Sequence, residues 1–282
     1  MTINIGINGY GRIGRNILRA LYESEIHNNL KIVAINDVGD NSVSAHLTMY
    51  DSAHGKFNQK VSADKNFMYV GEDKINITSE RDPSKILWSK YDVDLVFECT
   101  GKFNSKEETE IHLKNGAKKV LISAPAKNVD ATIVMGVNDE ILAKNHTIIS
   151  NASCTTNCIA PVIKVLNNTI GIEHGLITTI HSFTNDQRLT DANHKDIRRA
   201  RAATQSMIPT KTGAAKNVGL VIPELNGKLD GLAMRIPTVN VSVVDLVIRT
   251  KKDTSIEEIN KIILNSSENE MKNIIAYNDI PL

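Results

Sequence analysis

The first half of the chain alternates short apolar runs with stretches whose apolar residues recur at helical spacing. Candidate strands are Ile3–Asn8, Lys31–Asn36, Val93–Glu98, Lys119–Ser123, Thr132–Met135 and Thr147–Ser150. Several, such as Val120-Leu121-Ile122, are apolar on both faces, as a sheet covered on both sides requires. Helical patterns lie between them, from Arg12 to about Tyr22 and from Ser105 to about Asn115. The second opens with Ser105-Lys106-Glu107-Glu108, a capping-box pattern. Strands alternating with helices predict a parallel sheet with crossover helices.

After Cys154 the texture changes. Ile159, Val162, Ile163 and Leu166 mark a helix that carries Pro161 and is expected to kink there. A strand at Leu176–His181, a polar basic stretch at Asn185–Arg201 and strands near Leu232–Ile236 and Val239–Arg249 follow. A last helix is expected near Ser255–Leu264, with Ile256, Ile259 and Ile263 on one face. This less regular order predicts an α+β second domain, and the boundary is placed near Ser150–Cys154.

Bulk composition narrows the function classes. The 282 residues are 41% hydrophobic and carry a net charge of +1, so no global field points to nucleic acid or an anionic membrane. No apolar run is long enough to span a bilayer. The start, Met1-Thr2-Ile3-Asn4-Ile5-Gly6, reads as a strand rather than a signal peptide. Three cysteines argue against a disulfide framework and fit a reducing cytoplasm.

The first candidate chemistry follows strand Ile3–Asn8. Gly9-Tyr10-Gly11-Arg12-Ile13-Gly14 is a G-x-G-x-x-G that opens a helix. Gly9 permits the tight turn, Gly11 lets the backbone approach a pyrophosphate, and Gly14 allows close helix–strand packing. Alone the pattern describes any sharp glycine turn. Here the next strand ends in Asp37, where an acidic residue would accept hydrogen bonds from a ribose diol. A carboxylate there repels a 2′-phosphate, so NAD is favoured as cofactor.

Cys154 lies at the start of a helix in Ser150-Asn151-Ala152-Ser153-Cys154-Thr155-Thr156-Asn157-Cys158. An ordinary thiol is only a few per cent thiolate at neutral pH. Lowering its pKa to about 6 needs roughly 3.4 kcal/mol, whereas a helix dipole supplies about 0.3–2 kcal/mol. A cationic partner is therefore needed. His181, at the end of the apolar strand, is the candidate among eight histidines. A strand-end polar cap is the plainer reading of the same residue. Cys99 and Cys158 are expected to be small buried residues, and no further ligands at suitable spacing suggest a metal.

The segment Asn151–Cys158 is similar to the signature of the phosphorylating glyceraldehyde-3-phosphate dehydrogenases. Further resemblance follows in order along essentially the whole chain: Asn8–Arg15, Tyr50–Gly55, Gly116–Val120, Thr178–His181, His194–Arg201, Thr212–Lys216 and Asn240–Leu246. The resemblance implies that Cys154 is the nucleophile attacking an aldehyde and His181 its base, and that a thioester is then cleaved by inorganic phosphate. It implies that Ser153, Thr155, Thr212 and Gly213 hold the attacking phosphate. Thr184 and Arg235 hold the phosphate of the substrate, with Arg199 nearby. Cofactor contacts are implied for Arg12, Ile13, Asp37, Arg81 and Ser123, beside Gly9, Gly11 and Gly14. The implied partners are glyceraldehyde 3-phosphate, inorganic phosphate, NAD and further copies of the chain in a homotetramer. Neither nucleic acid nor a membrane is among them.

The expected architecture is thus α/β: a Rossmann-type doubly wound parallel sheet at residues 1–153, then an α+β catalytic domain at 154–282. Two departures from the resemblance carry expectations of their own. Ala192-Asn193 stands where NAD-specific relatives often carry Leu-Pro, which leaves the strictness of NAD over NADP open. The chain given stops at Leu282, short of further strands, the Trp-Tyr-Asp-Asn-Glu motif whose Asn contacts the nicotinamide amide in the family, and a helix that packs back on the first domain. A C-terminally incomplete catalytic domain with little turnover is expected on that ground. Erythrose-4-phosphate oxidation and a non-catalytic NAD-binding fragment are the alternative readings.

Overall fold

The computed structural model describes residues 2–24 and 29–281. Met1 and Leu282, the outer ends of the two expected domains, lie outside them. The chain divides into two compact units. One comprises residues 1–132 and 141–152, the other residues 133–140 and 153–282.

The first unit runs β1 (Ile3–Asn8), α1 (Arg12–Glu23), β2 (Leu30–Asn36), α2 (Asn41–Met49), β3 (Tyr50–Asp51), β4 (Gly55–Lys56), β5 (Val61–Ala63), β6 (Phe67–Val70) and β7 (Asp73–Thr78). It continues with β8 (Leu95–Glu98), α3 (Lys106–Lys114), β9 (Lys119–Ile122), β10 (Ala131–Thr132) and β11 (Ile148–Ser150). Nine of these strands form one sheet in the order β10-β11-β9-β8-β1-β2-β7-β6-β5. From β10 to β7 every neighbouring pair is parallel, while β5, β6 and β7 pair antiparallel.

Both faces of this sheet are covered, which is why its strands read as continuous apolar runs. Ile5, Ile7 and Ile35 pack with Leu18 and Met68 on one face. Ala34, Val96 and Val120 pack with Trp88 on the other. Ser105 caps α3 by accepting from the Glu108 amide, and the Glu108 carboxylate accepts from the Asn104 amide. The capping box therefore forms, with its return bond one residue earlier than the simple pattern.

The second unit contains α4 (Cys154–Thr169), β12 (Ile172–Ser182), β13 (Ile208–Lys211), α5 (Ala214–Val221), β14 (Leu229–Ile236), β15 (Val243–Thr250) and α6 (Ile256–Glu268). Its sheet has the order β13-β14-β12-β15. β12 is parallel to β14 and antiparallel to β15, a mixed sheet as the α+β reading requires. α4 continues through Pro161 as one helix of 16 residues.

Several expected elements are corrected. The strand expected at Thr132–Met135 ends at Thr132, because the Asn138 side chain accepts from the Val134 amide and turns the chain. The strand expected from Val239 begins at Val243, after Val241 adopts a left-handed φ of 67° that no strand residue takes. The antiparallel extension β5–β7, the helices α2 and α5 and strand β13 were not anticipated. Their apolar stretches are only a few residues long, too short for a period to register.

Candidate active site

In the first unit the strand order reverses at β1: β2 lies on one side and β8 on the other. Ligands of such sheets bind where the C-terminal ends of the strands diverge. A cavity of about 410 Å³ opens there, lined by Asn8, Gly9 and Gly11 after β1, by Asn36 and Asp37 after β2, and by Cys99 and Thr100 after β8.

The three motif glycines have distinct reasons. Gly9 has φ +89°, and a Cβ there would strike the Thr100 backbone at 2.7 Å. A Cβ on Gly14 would lie 2.4 Å from the Gly9 carbonyl oxygen. Gly11 meets nothing within 4 Å, so its missing side chain leaves open space rather than relieving a clash. Gly11 is also the N-cap of α1, with no side-chain cap and no acid in the first turn. This leaves the amides and positive dipole end of α1 available to an anion.

Asp37 faces the same cavity. Its Oδ1 accepts from the Tyr10 amide at 3.1 Å and Oδ2 from the Gly39 amide at 3.1 Å, which fixes the carboxylate while leaving lone pairs for a diol. These residues fit a dinucleotide. Arg81 lines the cavity too. Arg12 does not: its guanidinium pairs with Asp51 at 3.0 Å. Ile13 is half exposed on α1, and Ser123 follows β9, where its amide donates to the Glu98 carbonyl.

Beneath the cavity floor lies a buried polar chain absent from the sequence reading. Asn8 donates to Glu98 Oε2 at 2.6 Å, and Asn36 donates to Asn8 Oδ1 at 2.8 Å. His112 Nε2 is 3.1 Å from Glu98 Oε2, and Trp88 donates to His112 Nδ1 at 3.0 Å. Glu98 Oε1 accepts from the amide and hydroxyl of Thr100. Glu98 and His112 are 1% and 0% exposed, so each of these bonds replaces a lost hydration contact. The signal was present in polar residues at the ends of buried strands, but their mutual contacts are set by strand register.

In the second unit, Ser153 caps α4 by accepting from the Thr156 amide at 3.0 Å. Cys154 is the first helical residue. Its Sγ lies 3.3 Å from Nε2 of His181, one residue from the C-terminal end of β12. The hydrogen bond with His181 pulls the Cys154 thiol from 9.0 down to about 7, against an opposing push from burial, with help from the Thr155 hydroxyl and amide. The thiolate fraction at neutral pH is thereby raised above the few per cent of an ordinary thiol. Burial raises Cys99 to about 12 and Cys158 in a lesser degree. Cys158 is nevertheless exposed at the surface and Cys99 half-buried, which corrects the expectation that both are buried. Position 158 falls on the same side of α4 as Cys154, one turn on.

Two arginines stand beside the pair. Arg235 Nη1 is 2.7 Å from His181 Nδ1 and 3.1 Å from the Ser182 carbonyl oxygen. Arg199 pairs with Asp186 and donates to the Lys211 carbonyl at 3.1 Å. The Nε of Arg235 is buried with no hydrogen-bond partner. Thr184 is tied to Gln187, and the Thr212 hydroxyl accepts from the Ala214 amide as α5 begins after Gly213. The Thr156 hydroxyl donates to the Ala214 carbonyl at 3.4 Å, which joins the starts of α4 and α5. The structure thus gathers a low-pKa thiol, an imidazole, two guanidinium groups and two helix N termini.

Residues 3–106 match the NAD binding domain of glyceraldehyde 3-phosphate dehydrogenase, and residues 153–282 match the C-terminal domain of the same enzyme. The chain belongs to the glyceraldehyde-3-phosphate dehydrogenase family. With it, the chain belongs to the NAD-dependent oxidoreductases. It is 56% identical to the plasmid-encoded glyceraldehyde-3-phosphate dehydrogenase of Cupriavidus necator, over all of this chain and 84% of that relative. The enzymes of that name from Pseudomonas aeruginosa and Geobacillus stearothermophilus are 55% and 53% identical, each over 100% of this chain and 84% of the relative. The α/β architecture is the one the family resemblance implied. Among the described residues no helix is long and apolar enough to cross a membrane.

Proposed function

We propose that the protein oxidises glyceraldehyde 3-phosphate, with NAD and inorganic phosphate, to 1,3-bisphosphoglycerate through a thioester on Cys154. The observation that carries this reading is the 3.3 Å contact between Cys154 Sγ and His181 Nε2 together with a thiol at about 7. Residues 1–153 serve as the dinucleotide-binding domain and residues 154–282 as the catalytic domain.

In this reading the Cys154 thiolate attacks the aldehyde carbon, and the developing oxyanion takes the proton from His181 Nε2. The resulting thiohemiacetal hydroxyl returns that proton to Nε2 as hydride leaves its carbon. Gly9, Gly11, Gly14 and Asp37 would hold NAD, with Arg12, Ile13, Arg81 and Ser123 as further contacts, and NAD when bound would supply the hydride acceptor. A phosphate oxygen then attacks the thioester carbon, and the sulfur departs as thiolate.

Ser153, Thr155, Thr212 and Gly213 hold the attacking phosphate at the starts of α4 and α5, where helix dipoles and hydroxyl donors favour an anion. Thr184 and Arg235 hold the substrate phosphate, with Arg199 beside them. Charge-assisted bonds of this kind contribute about 1.5–3 kcal/mol each, and the unpaired Arg235 Nε supports the assignment. A homotetramer in the cytoplasm completes the proposal.

The test is to mix the protein with NAD and glyceraldehyde 3-phosphate in the absence of inorganic phosphate, quench in acid and map the peptides by mass spectrometry. The reading expects a phosphoglyceroyl group on Cys154 and its loss when phosphate is added. Tight NAD binding with no acylation of Cys154 would favour a binding role without turnover. A higher kcat/KM for erythrose 4-phosphate would move the substrate assignment to the longer sugar.

A further inference from the structure

The buried polar chain beneath the dinucleotide cavity takes no part in the proposed reaction, yet each of its protons can be placed. The Glu80 amide only donates, and it fixes Asn36 Oδ1 as its acceptor at 2.8 Å. Asn36 Nδ2 therefore donates to Asn8 Oδ1 at 2.8 Å, and Asn8 Nδ2 donates to Glu98 Oε2 at 2.6 Å. At the other end, the Trp88 indole also only donates, at 3.0 Å to His112 Nδ1. That nitrogen is bare. The ring is then neutral with its proton on Nε2, which donates to Glu98 Oε2 at 3.1 Å.

The second oxygen of Glu98 is filled in the same way. Oε1 accepts from the Thr100 amide at 2.8 Å and from the Thr100 hydroxyl, whose oxygen accepts from the Lys102 amide at 3.1 Å. Each oxygen thus takes two donors, the full complement of an ionised carboxylate. A proton on Oε1 would displace the Thr100 hydroxyl hydrogen from its acceptor. All four donors belong to neutral groups, and among the described residues no lysine or arginine pairs with Glu98. The other charged groups lining the cavity, Asp37, Glu80, Arg81 and Lys102, reach solvent, which screens them. Glu98 does not. The pocket floor carries one buried negative charge without a counter-ion.

Strand order sets that charge under one half of the cofactor. Asp37, after β2, takes the adenosine ribose in the proposed binding mode, and the start of α1 takes the pyrophosphate. The other half then falls to the opposite neighbour of β1, which is β8. There Asn8 and Thr100 line the cavity while bonded directly to Glu98. The nicotinamide ring is cationic in NAD and neutral in NADH.

We propose that Glu98 makes the pocket select the oxidised cofactor, because its buried carboxylate attracts the cationic ring of NAD and finds no charge to attract in NADH. Two unit charges about 10 Å apart at an effective dielectric of about 20 shift an equilibrium roughly tenfold. The same charge favours entry of NAD before hydride transfer and departure of NADH after it. The placement of the ring over β8 rests on the proposed role of Asp37; the buried charge does not.

Calorimetric titration with NAD, NADH and ADP-ribose, which lacks the nicotinamide, separates charge from structure. Glu98→Gln removes the charge and keeps an acceptor. Its affinity for NAD should fall about tenfold relative to NADH, with ADP-ribose following NADH. Glu98→Asp keeps the charge and should keep the ratio of the unsubstituted protein. A distorted pocket weakens all three ligands alike, so equal losses in Glu98→Gln overturn the proposal. An unchanged ratio of NAD to NADH affinity in that variant overturns it too, as does the same shift in Glu98→Asp. Asp37→Ala should weaken all three ligands together. If it leaves them unchanged, the placement at Asp37 fails, while the ratio in Glu98→Gln still judges the charge.

Nitrogen-15 NMR of the unsubstituted protein tests the charge without any variant that must fold. Trp88 is the single tryptophan, so its indole N–H is assigned at once, and coupling across its hydrogen bond identifies His112 Nδ1. At neutral pH a neutral ring protonated on Nε2 is expected. An imidazolium at His112 would cancel the carboxylate and overturn the proposal.

Discussion

The sulfur of Cys154 and Nε2 of His181 lie 3.3 Å apart although 27 residues separate them in the chain. One is the first residue of a helix and the other is the next-to-last residue of a strand. That arrangement predicts a reactivity order among the three cysteines. At neutral pH iodoacetamide should label Cys154 at least about tenfold faster than Cys158 or Cys99, since their thiols are shifted upward. Exposure is no substitute for activation, because Cys158 is exposed as well. Peptide mapping that finds equal labelling at 154 and 158 would count against an activated thiolate.

The pocket glycines should separate stability from binding. Gly14→Ala forces a Cβ to within 2.4 Å of the Gly9 carbonyl and should destabilise the protein by about 2 kcal/mol or more. Gly11→Ala meets no protein atom, so urea unfolding should change by less than about 0.5 kcal/mol. NAD affinity should nonetheless fall about tenfold or more, because the new methyl occupies the approach to the α1 amides. Parallel losses of stability in both variants would contradict this division.

Asp37 should select against a 2′-phosphate. Asp37→Ala should narrow the preference for NAD over NADP by about tenfold, mainly through KM for NADP. Equal use of both cofactors by the unsubstituted protein would show that the Ala192-Asn193 loop overrides the carboxylate.

Much of the site was legible because its signals are local. Gly9 to Gly14 state a turn, a helix start and a phosphate approach within six residues, and Asp37 follows at the end of the next parallel strand. The strand ends at Asn8 and Asn36 agree with the structure, because in each case a polar residue closes an apolar run just before a turn, while the strand expected to end at His181 runs one residue further, to Ser182. What was not legible depends on register and packing. Trp88, His112, Glu98 and Asn8 meet only once β1 and β8 pair, and a sequence reader has no pairing to consult. Arg235 looked like one arginine among many until β14 paired with β12 and placed it opposite His181. The burial expected for Cys158 failed because a helix position four residues from a surface-facing residue shares its face.

The buried chain at the pocket floor should be costly to break. Glu98→Leu leaves Asn8, His112 and the Thr100 amide without their acceptor and should cost about 3–5 kcal/mol in urea unfolding. Glu98→Gln, which keeps one acceptor oxygen, should cost less. A neutral result for Glu98→Leu would show that the chain contributes nothing net to stability.

Acid should find a weak point at Asp130. Its partial burial raises its pKa, but the Lys106 ammonium and the Ile148 and Thr147 amides outweigh that and hold the carboxylate well below the usual range. A depressed pKa contributes stability above the unfolded value near about 3.9, and that contribution is lost as pH falls through the folded value. Asp130→Asn should therefore be less stable at pH 7, by about 2 kcal/mol, and approach the unsubstituted protein at strongly acid pH. A stability difference independent of pH would contradict the ion pair as its cause.

The activation of Cys154 by His181 is tested most directly by the pH profile of alkylation at that one residue. Rates for Cys154 should rise with pH through a midpoint of about 7, and His181→Asn should carry that midpoint up toward the ordinary thiol value of 9.0. A midpoint that stays in place in the variant would show that the imidazole does not activate the sulfur.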